Sequence, residues 1–172
     1  MDLTLNRQYL RLIDVNTPGP RYDVTPLFAD PEAFSAVVDA LIEPFEKVVF
    51  EYVAGIDALG FILGAAISQR TEKGFLPIRK GGKLPVDVDR ISFIDYSGIE
   101  KSLEVRKRAI PPGAGVLIVD EWVETGAQIF AAVELIEHQG GSVIGIAAIQ
   151  IDDHPATQRL KDRYVCHSVW QE

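Results

Sequence analysis

The sequence predicts an α/β fold with a parallel sheet flanked by helices. Three observations predict it. "VLIVD", residues 116–120, is a continuous apolar run that ends at an acid. Such runs mark strands buried on both faces. "AQIFAAVELIEHQ" behind it is amphipathic and closes at Gly140 and Gly141, and "SVIGIAAIQI" is again a buried strand. An earlier stretch repeats the order: "KVVFEYVAG", then "DALGFILGAAISQR", then "FLPIRK". Strands that alternate with helices build parallel sheets.

Taken in order, Met1 to Gln8 is polar and is expected to fray. Asn16 to Pro26 carries Pro18, Pro20, Pro26 and Gly19, so a rigid loop is expected there. Asp30 is a good helix cap and Pro31 a good first residue. Phe34, Val37, Val38, Leu41 and Ile42 form the apolar stripe of the helix that follows. Lys47 to Gly55 is β-branched and aromatic and reads as a strand. Asp57 to Arg70 reads as a largely apolar helix, and Phe75 to Lys80 as a short strand. From Gly81 to Ser102 the pattern dissolves into glycines, a proline and alternating charges. A long irregular segment of this kind is usually a lid or a disordered loop.

The bulk numbers exclude several classes. A chain of 172 residues reads as one domain. The net charge of −8 disfavours binding to a nucleic-acid backbone, which depends on clustered Lys and Arg. Cys166 is the only cysteine, so there is neither a disulfide framework nor a thiolate zinc site, and a buried structural thiol is expected. His138, His154 and His167 lack metal-ligand spacing; solvated or capping roles suit them. Signal-peptide and membrane-spanning patterns are absent, so a reducing cytoplasm is expected.

The chemistry concentrates in "VLIVDEWVETGAQIF", residues 116–130. Asp120 and Glu121 stand at a strand's carboxyl end, where ligands of such sheets bind. Thr125 and Gly126 open a helix just behind them. Free amides at a helix start suit a phosphate, and glycine lets it approach the backbone. Two carboxylates cannot grip that phosphate. They accept from sugar hydroxyls, or hold Mg²⁺ shared with substrate oxygens. Together these parts describe a seat for a sugar phosphate. The plainer reading, a solvated turn with a helix cap, fits an acid pair taken alone.

With these residues in view, the chain resembles the purine phosphoribosyltransferases, the adenine phosphoribosyltransferase family above all. That family's signature for phosphoribosyl pyrophosphate is an apolar strand, two acids, two apolar residues, then Ala-Thr-Gly-Gly-Thr. "PGPRYDVTPLFADPEAF" resembles its N-terminal hood, "YVAGIDALGFILG" its first substrate loop, and "IRKGGKLP" and "IDYSG" the flanks of its lid. "CHSVWQE" stands where the family has a short closing segment. The resemblance implies a type I phosphoribosyltransferase fold with a small hood over about residues 1–30 and a lid over about 81–105. It implies transfer of ribose 5-phosphate from phosphoribosyl pyrophosphate to a purine-like base, in salvage, with Mg²⁺ and a homodimer.

Site residues follow from the same resemblance. Asp120 and Glu121 would hold the ribose hydroxyls and, indirectly, the metal. Glu124, Thr125, Gly126, Ala127 and Gln128 would form the phosphate loop. Arg79, Lys80 and Lys83 would face pyrophosphate. Asp95, beside Tyr96 in the lid, would be the general acid or base. Tyr22 would stack on the base or Arg21 would lie over it, with Val123, Trp122 or Ile151 opposite. Several positions depart from the family. Glu124 carries a charge that opposes phosphate if it turns inward, and outward is the expected direction. Ala127 and Gln128 replace a glycine and a threonine. Leu59 stands where the family has an arginine for pyrophosphate. Asp95 is one methylene shorter than the family's Glu. These departures leave room for a non-catalytic sensor of phosphoribosyl pyrophosphate or nucleotide, or for related chemistry on another nucleobase or nucleotide.

Overall fold

The computed structural model describes residues 5–19, 21–95 and 97–170, with side chains from Gln8 onward. Pro20, Tyr96 and the end of the closing segment lie outside the described residues. A seven-stranded sheet runs in the order β3-β4-β2-β1-β5-β6-β7. The strands are β1 (Tyr52–Ile56), β2 (Gly74–Lys80), β3 (Val88–Ile94), β4 (Glu100–Arg106), β5 (Gly115–Val123), β6 (Ser142–Ile151) and β7 (Cys166–Ser168). The five from β2 to β7 in that row are mutually parallel, and β3–β4 is an antiparallel hairpin on the β2 edge. Helices α1 (Thr25–Ala29), α2 (Pro31–Ile42), α3 (Leu59–Thr71), α4 (Ala127–His138) and α5 (Pro155–Lys161) complete the α/β fold.

The apolar run of β5 has two faces because both are covered. Val116 and Ile118 pack with Ile129, Leu135 and Ile136 of α4. Leu117 and Val119 pack with α2 and α3 through Val37, Leu41, Leu63 and Ile67. α2 starts as its sequence requires, with the Asp30 carboxylate accepting from the amides of Glu32 and Ala33. His154 caps α5 in the same manner, accepting from the amide of Ala156 through Nδ1.

Four expectations need correction. Lys47 to Val49 is not strand: no neighbour is in register before Tyr52, and Val49 projects into solvent. Leu5–Leu12 is a 3-10 helix and not a frayed end, because Tyr9 and Ile13 bury against the α2 side of the core. The loop after it ends earlier than expected, since Thr25 and Pro26 already belong to α1. The 81–102 segment is largely the β3–β4 hairpin. Its alternation is hard to see because β3 is an edge strand whose half-buried face carries Asp89 beside Ile91 and Phe93, while the exposed face ends in the apolar Ile94.

One buried acid organises that hairpin. The Glu104 carboxylate accepts from the amides of Gly82, Lys83 and Leu84 at 2.9, 2.7 and 2.7 Å, and from Arg90 at 2.7 Å. Burial works against its charge, but these donors prevail and hold the carboxyl down at about 2. The link ties the turn after β2 to the middle of β4.

Strand order places the site. From β1 the chain crosses through α3 to β2 on one side; from β5 it crosses through α4 to β6 on the other. β1 and β5 are neighbours whose connections leave in opposite directions, on opposite faces. A crevice opens at the carboxyl ends of such a pair.

Candidate active site

The crevice is a cavity of about 340 Å³. Its floor is the end of β5, Asp120 to Val123, continued by the turn Glu124–Gly126 and the start of α4. Asp57, Ala58 and Leu59 enter from the β1–α3 loop, whose Asp57–Ala58 peptide is cis. Phe93, Asp95 and Lys101 enter from the hairpin, and Arg21 from the loop before α1. α3 approaches closely because Gly60 lacks a side chain. A Cβ there would sit 2.8 Å from the Val119 carbonyl oxygen and 3.1 Å from Asp120 Oδ1.

The residues expected to form the phosphate loop make a tight turn. Gly126 has φ of +75° and stands at the N-cap of α4, and the Ala127 amide donates weakly to the Thr125 hydroxyl at 3.5 Å. The left-handed backbone at position 126 suits glycine. A methyl group would also meet Leu160 at 2.8 Å. Ala127 begins the helix.

The two acids are both buried but sit in different surroundings. Pleating sends successive strand residues to opposite faces. Asp120 Oδ1 accepts from the Glu121 amide at 2.8 Å, and Oδ2 accepts from the Gln128 side chain at 2.9 Å. Burial pushes its carboxyl up to about 7, with those donors and Arg21 pulling the other way. Burial also raises Glu121; Arg21 opposes the rise, while Asp23 and Glu124 add to it.

Several residues stand elsewhere than the sequence suggested. Glu124 does not turn to solvent: it meets Arg21 across the mouth of the cavity, Nε to Oε1 at 2.9 Å and Nη2 to Oε2 at 3.0 Å. Gln128 reaches Asp120, so its amide is committed within the site. Tyr22 is not among the cavity-lining residues; its ring packs 5.5 Å from Trp122 and 5.3 Å from Trp170. Ile151 faces the α4 side of the core, whereas Val123 does reach the cavity wall. Of the three bases after β2, Lys80 lines the cavity. Arg79 turns to Asp57, 3.6 Å away, and to the Lys83 carbonyl. Lys83 is outside the lining, and its amide is bound by Glu104.

Asp95 lines the cavity but is occupied. Its Oδ1 accepts from the Ser97 amide, the Ser97 hydroxyl and the Ile99 amide, closing the hairpin turn. Its Oδ2 pairs with Lys101. Lys101, and then Ser97, hold the carboxyl well below the usual range. The sequence reading missed Lys101, Phe93, Asp57 and Glu104. Only Glu104 left a signal, a lone acid between Leu103 and Val105.

Burial raises the Cys166 thiol to about 11, which fits an inert structural residue. Among the described residues no cluster of three or more His, Cys, Asp or Glu makes a metal cage.

Comparison with known proteins agrees with this geometry. The model of the phosphoribosyl transferase domain matches residues 32–171. The chain is 41% identical over 159 residues to the adenine phosphoribosyltransferase of Cereibacter sphaeroides, covering 90% of this chain and 88% of that one. It is 43% identical over 138 residues to that of Sorangium cellulosum, covering 79% and 68%. Among solved structures, adenine phosphoribosyltransferase from Rhodothermus marinus superposes with a TM-score of 0.88 at 33% identity, covering 98% of both chains. The Saccharomyces cerevisiae enzyme, complexed with an imino-altritol bisphosphate and adenine, gives 0.84 at 28% identity, covering 98% of this chain and all of that one. On sequence match and architecture alike, the chain belongs to the phosphoribosyl transferase domain family.

Proposed function

We propose that this chain, read as a single catalytic domain, transfers ribose 5-phosphate from phosphoribosyl pyrophosphate to adenine, as a cytoplasmic, homodimeric purine-salvage enzyme. The observation that carries the proposal is the pairing of Asp120 and Glu121 with the Gly126 turn in one cavity. Relatives that share this chain over most of its length act as adenine phosphoribosyltransferases. Among the described residues no helix is long and apolar enough to cross a membrane.

The 5′-phosphate sits on the amides of Thr125 to Gln128, where the helix dipole of α4 favours an anion. The ribose hydroxyls donate to Asp120 and Glu121. Lys80 and Lys101 face the pyrophosphate. Leu59 supplies no charge there, so that side is weaker than in the family pattern. Adenine lies between Val123 and the hood at Arg21.

Mg²⁺ fits as a partner held mostly by substrate. The cavity offers Asp120 and Glu121 without a full protein cage, and Mg²⁺ commonly binds through one or two carboxylates plus phosphate oxygens. When bound it neutralises charge on the pyrophosphate. In the transfer, a ring nitrogen of adenine bonds to C1 of the ribose. The C1–O bond breaks, and pyrophosphate departs with the electron pair. The nitrogen's proton goes to Asp95 Oδ2. That oxygen becomes basic enough once Lys101 turns from it to the leaving pyrophosphate, since Lys101 is the main cause of its low proton affinity.

The test is incubation with phosphoribosyl pyrophosphate, adenine and Mg²⁺, with adenosine monophosphate and pyrophosphate measured together. Equimolar appearance of both is expected. Leu59 in the cavity wall favours a second reading, a non-catalytic sensor. Calorimetric binding of phosphoribosyl pyrophosphate without either product would establish that reading instead.

A further inference from the structure

Two charged residues far apart in the chain meet in space. Glu124 departs from the family pattern by placing a carboxylate in the expected phosphate loop. Arg21 lies in the loop before α1, more than a hundred residues away in the chain. Their two-pronged contact, at 2.9 and 3.0 Å, is the best-matched geometry a guanidinium and a carboxylate can adopt. The Glu124 side chain is 16% exposed.

Arg21 is held from both sides. The antiparallel bridge between Asp14 and Asp23 closes its loop. The Thr17 hydroxyl donates to the Arg21 carbonyl at 2.5 Å. Tyr22, next in the chain, is wedged against Trp122 and Trp170. The guanidinium's charge also acts on Asp120 and Glu121, lowering the proton affinity of both. The cavity lining holds five acids, Asp57, Asp95, Asp120, Glu121 and Glu124, against Arg21, Lys80 and Lys101. An anionic substrate therefore depends on each acid being neutralised or used.

We propose that Arg21 is a positioning residue for the 5′-phosphate: it neutralises Glu124 and holds that carboxylate against the hood, away from the phosphate seat. This rests on the transferase reading above. Without Arg21, Glu124 stands uncompensated in the same cavity wall as the amides that seat the dianion, and like charges repel strongly in a partly buried site. The same contact fastens the hood to the phosphate loop, so one interaction prepares both ends of the nucleotide site.

The experiment compares wild type, Arg21→Ala and Arg21→Ala with Glu124→Gln. Each is titrated with ribose 5-phosphate and phosphoribosyl pyrophosphate at low and high salt, with melting temperatures and steady-state constants alongside. Arg21→Ala is expected to weaken both ligands by about tenfold at low salt, less at high salt, through KM more than kcat. Adding Glu124→Gln is expected to return most of that loss, because the offending charge is gone. A merely structural role would lower the melting temperature and leave the salt dependence unchanged. If wild type binds and Arg21→Ala binds equally well, the inference fails alone. If the double variant is as weak as Arg21→Ala, Arg21 does not act through Glu124 and the inference also fails. A wild type that binds neither ligand overturns the transferase reading, and this inference with it.

Discussion

The Gln128 side-chain amide donates to Asp120 Oδ2 at 2.9 Å, tying the first turn of α4 to the acid at the end of β5. The residue expected to greet the phosphate thus steadies the residue expected to hold the ribose. Together with the Glu121 amide on Oδ1, it gives a deeply buried carboxylate two donors. Burial still prevails, and the group sits near neutrality at about 7.

That position predicts how stability follows pH. Below about pH 4, Asp120 is protonated in both folded and unfolded chains. Between pH 4 and 7 the unfolded chain releases the proton while the folded one keeps it, so stability falls as pH rises and levels off above 7. A shift from 3.8 to about 7 corresponds to roughly 4 kcal/mol. Asp120→Asn removes this dependence, since Gln128 can rotate its amide to accept from the new group. Melting temperatures from pH 4 to 9 should show the variant gaining on wild type up to pH 7 and then holding its lead. Parallel curves would refute the burial argument.

Replacing both acids tests the ribose seat. Asp120→Asn with Glu121→Gln keeps shape but removes charge. Hydrogen bonds to charged groups contribute about 1.5–3 kcal/mol each, so ribose 5-phosphate affinity should fall at least a hundredfold. Calorimetry reads this directly, and unchanged affinity would move the ribose elsewhere.

Leu59 lines the cavity at the start of α3. Leu59→Arg adds a cation on the side given to pyrophosphate. Stabilising charge that develops on a leaving group is worth about tenfold or more in rate. Higher kcat is the expected outcome in the coupled pyrophosphate assay. No gain would mean that this wall does not face the leaving group.

Glu104 carries the hairpin. Glu104→Ala leaves three amides without their acceptor, while the half-exposed Arg90 guanidinium returns to water, and should cost about 2–4 kcal/mol. Urea melts would measure it. The carboxyl's low value also means that its stabilisation is present above about pH 4.5 and is lost as pH falls toward 2. A variant as stable as wild type at pH 7 would remove Glu104 from its organising role.

The sequence by itself determined the parallel centre of the sheet, the placement of β5 and α4, and the acids that stand at their junction. Continuous apolar runs, a capped helix and a turn glycine are local signals, each readable within a dozen residues. It did not disclose the β3–β4 hairpin, whose edge strand lacks a clean apolar period, or the 3-10 helix, which exists because Tyr9 and Ile13 find the α2 side of the core. Side-chain direction was the larger gap. Glu124 looked as if it should face solvent, and Tyr22 the base. Each is instead claimed by partners distant in sequence: Arg21 for Glu124, and Trp122 with Trp170 for Tyr22. Electrostatic pairing and burial are properties of space, and residues 21 and 124 share no local pattern. Only the tertiary structure, by bringing Arg21 of the N-terminal segment to Glu124 beyond the carboxyl end of β5, decided which charges in the cavity are matched.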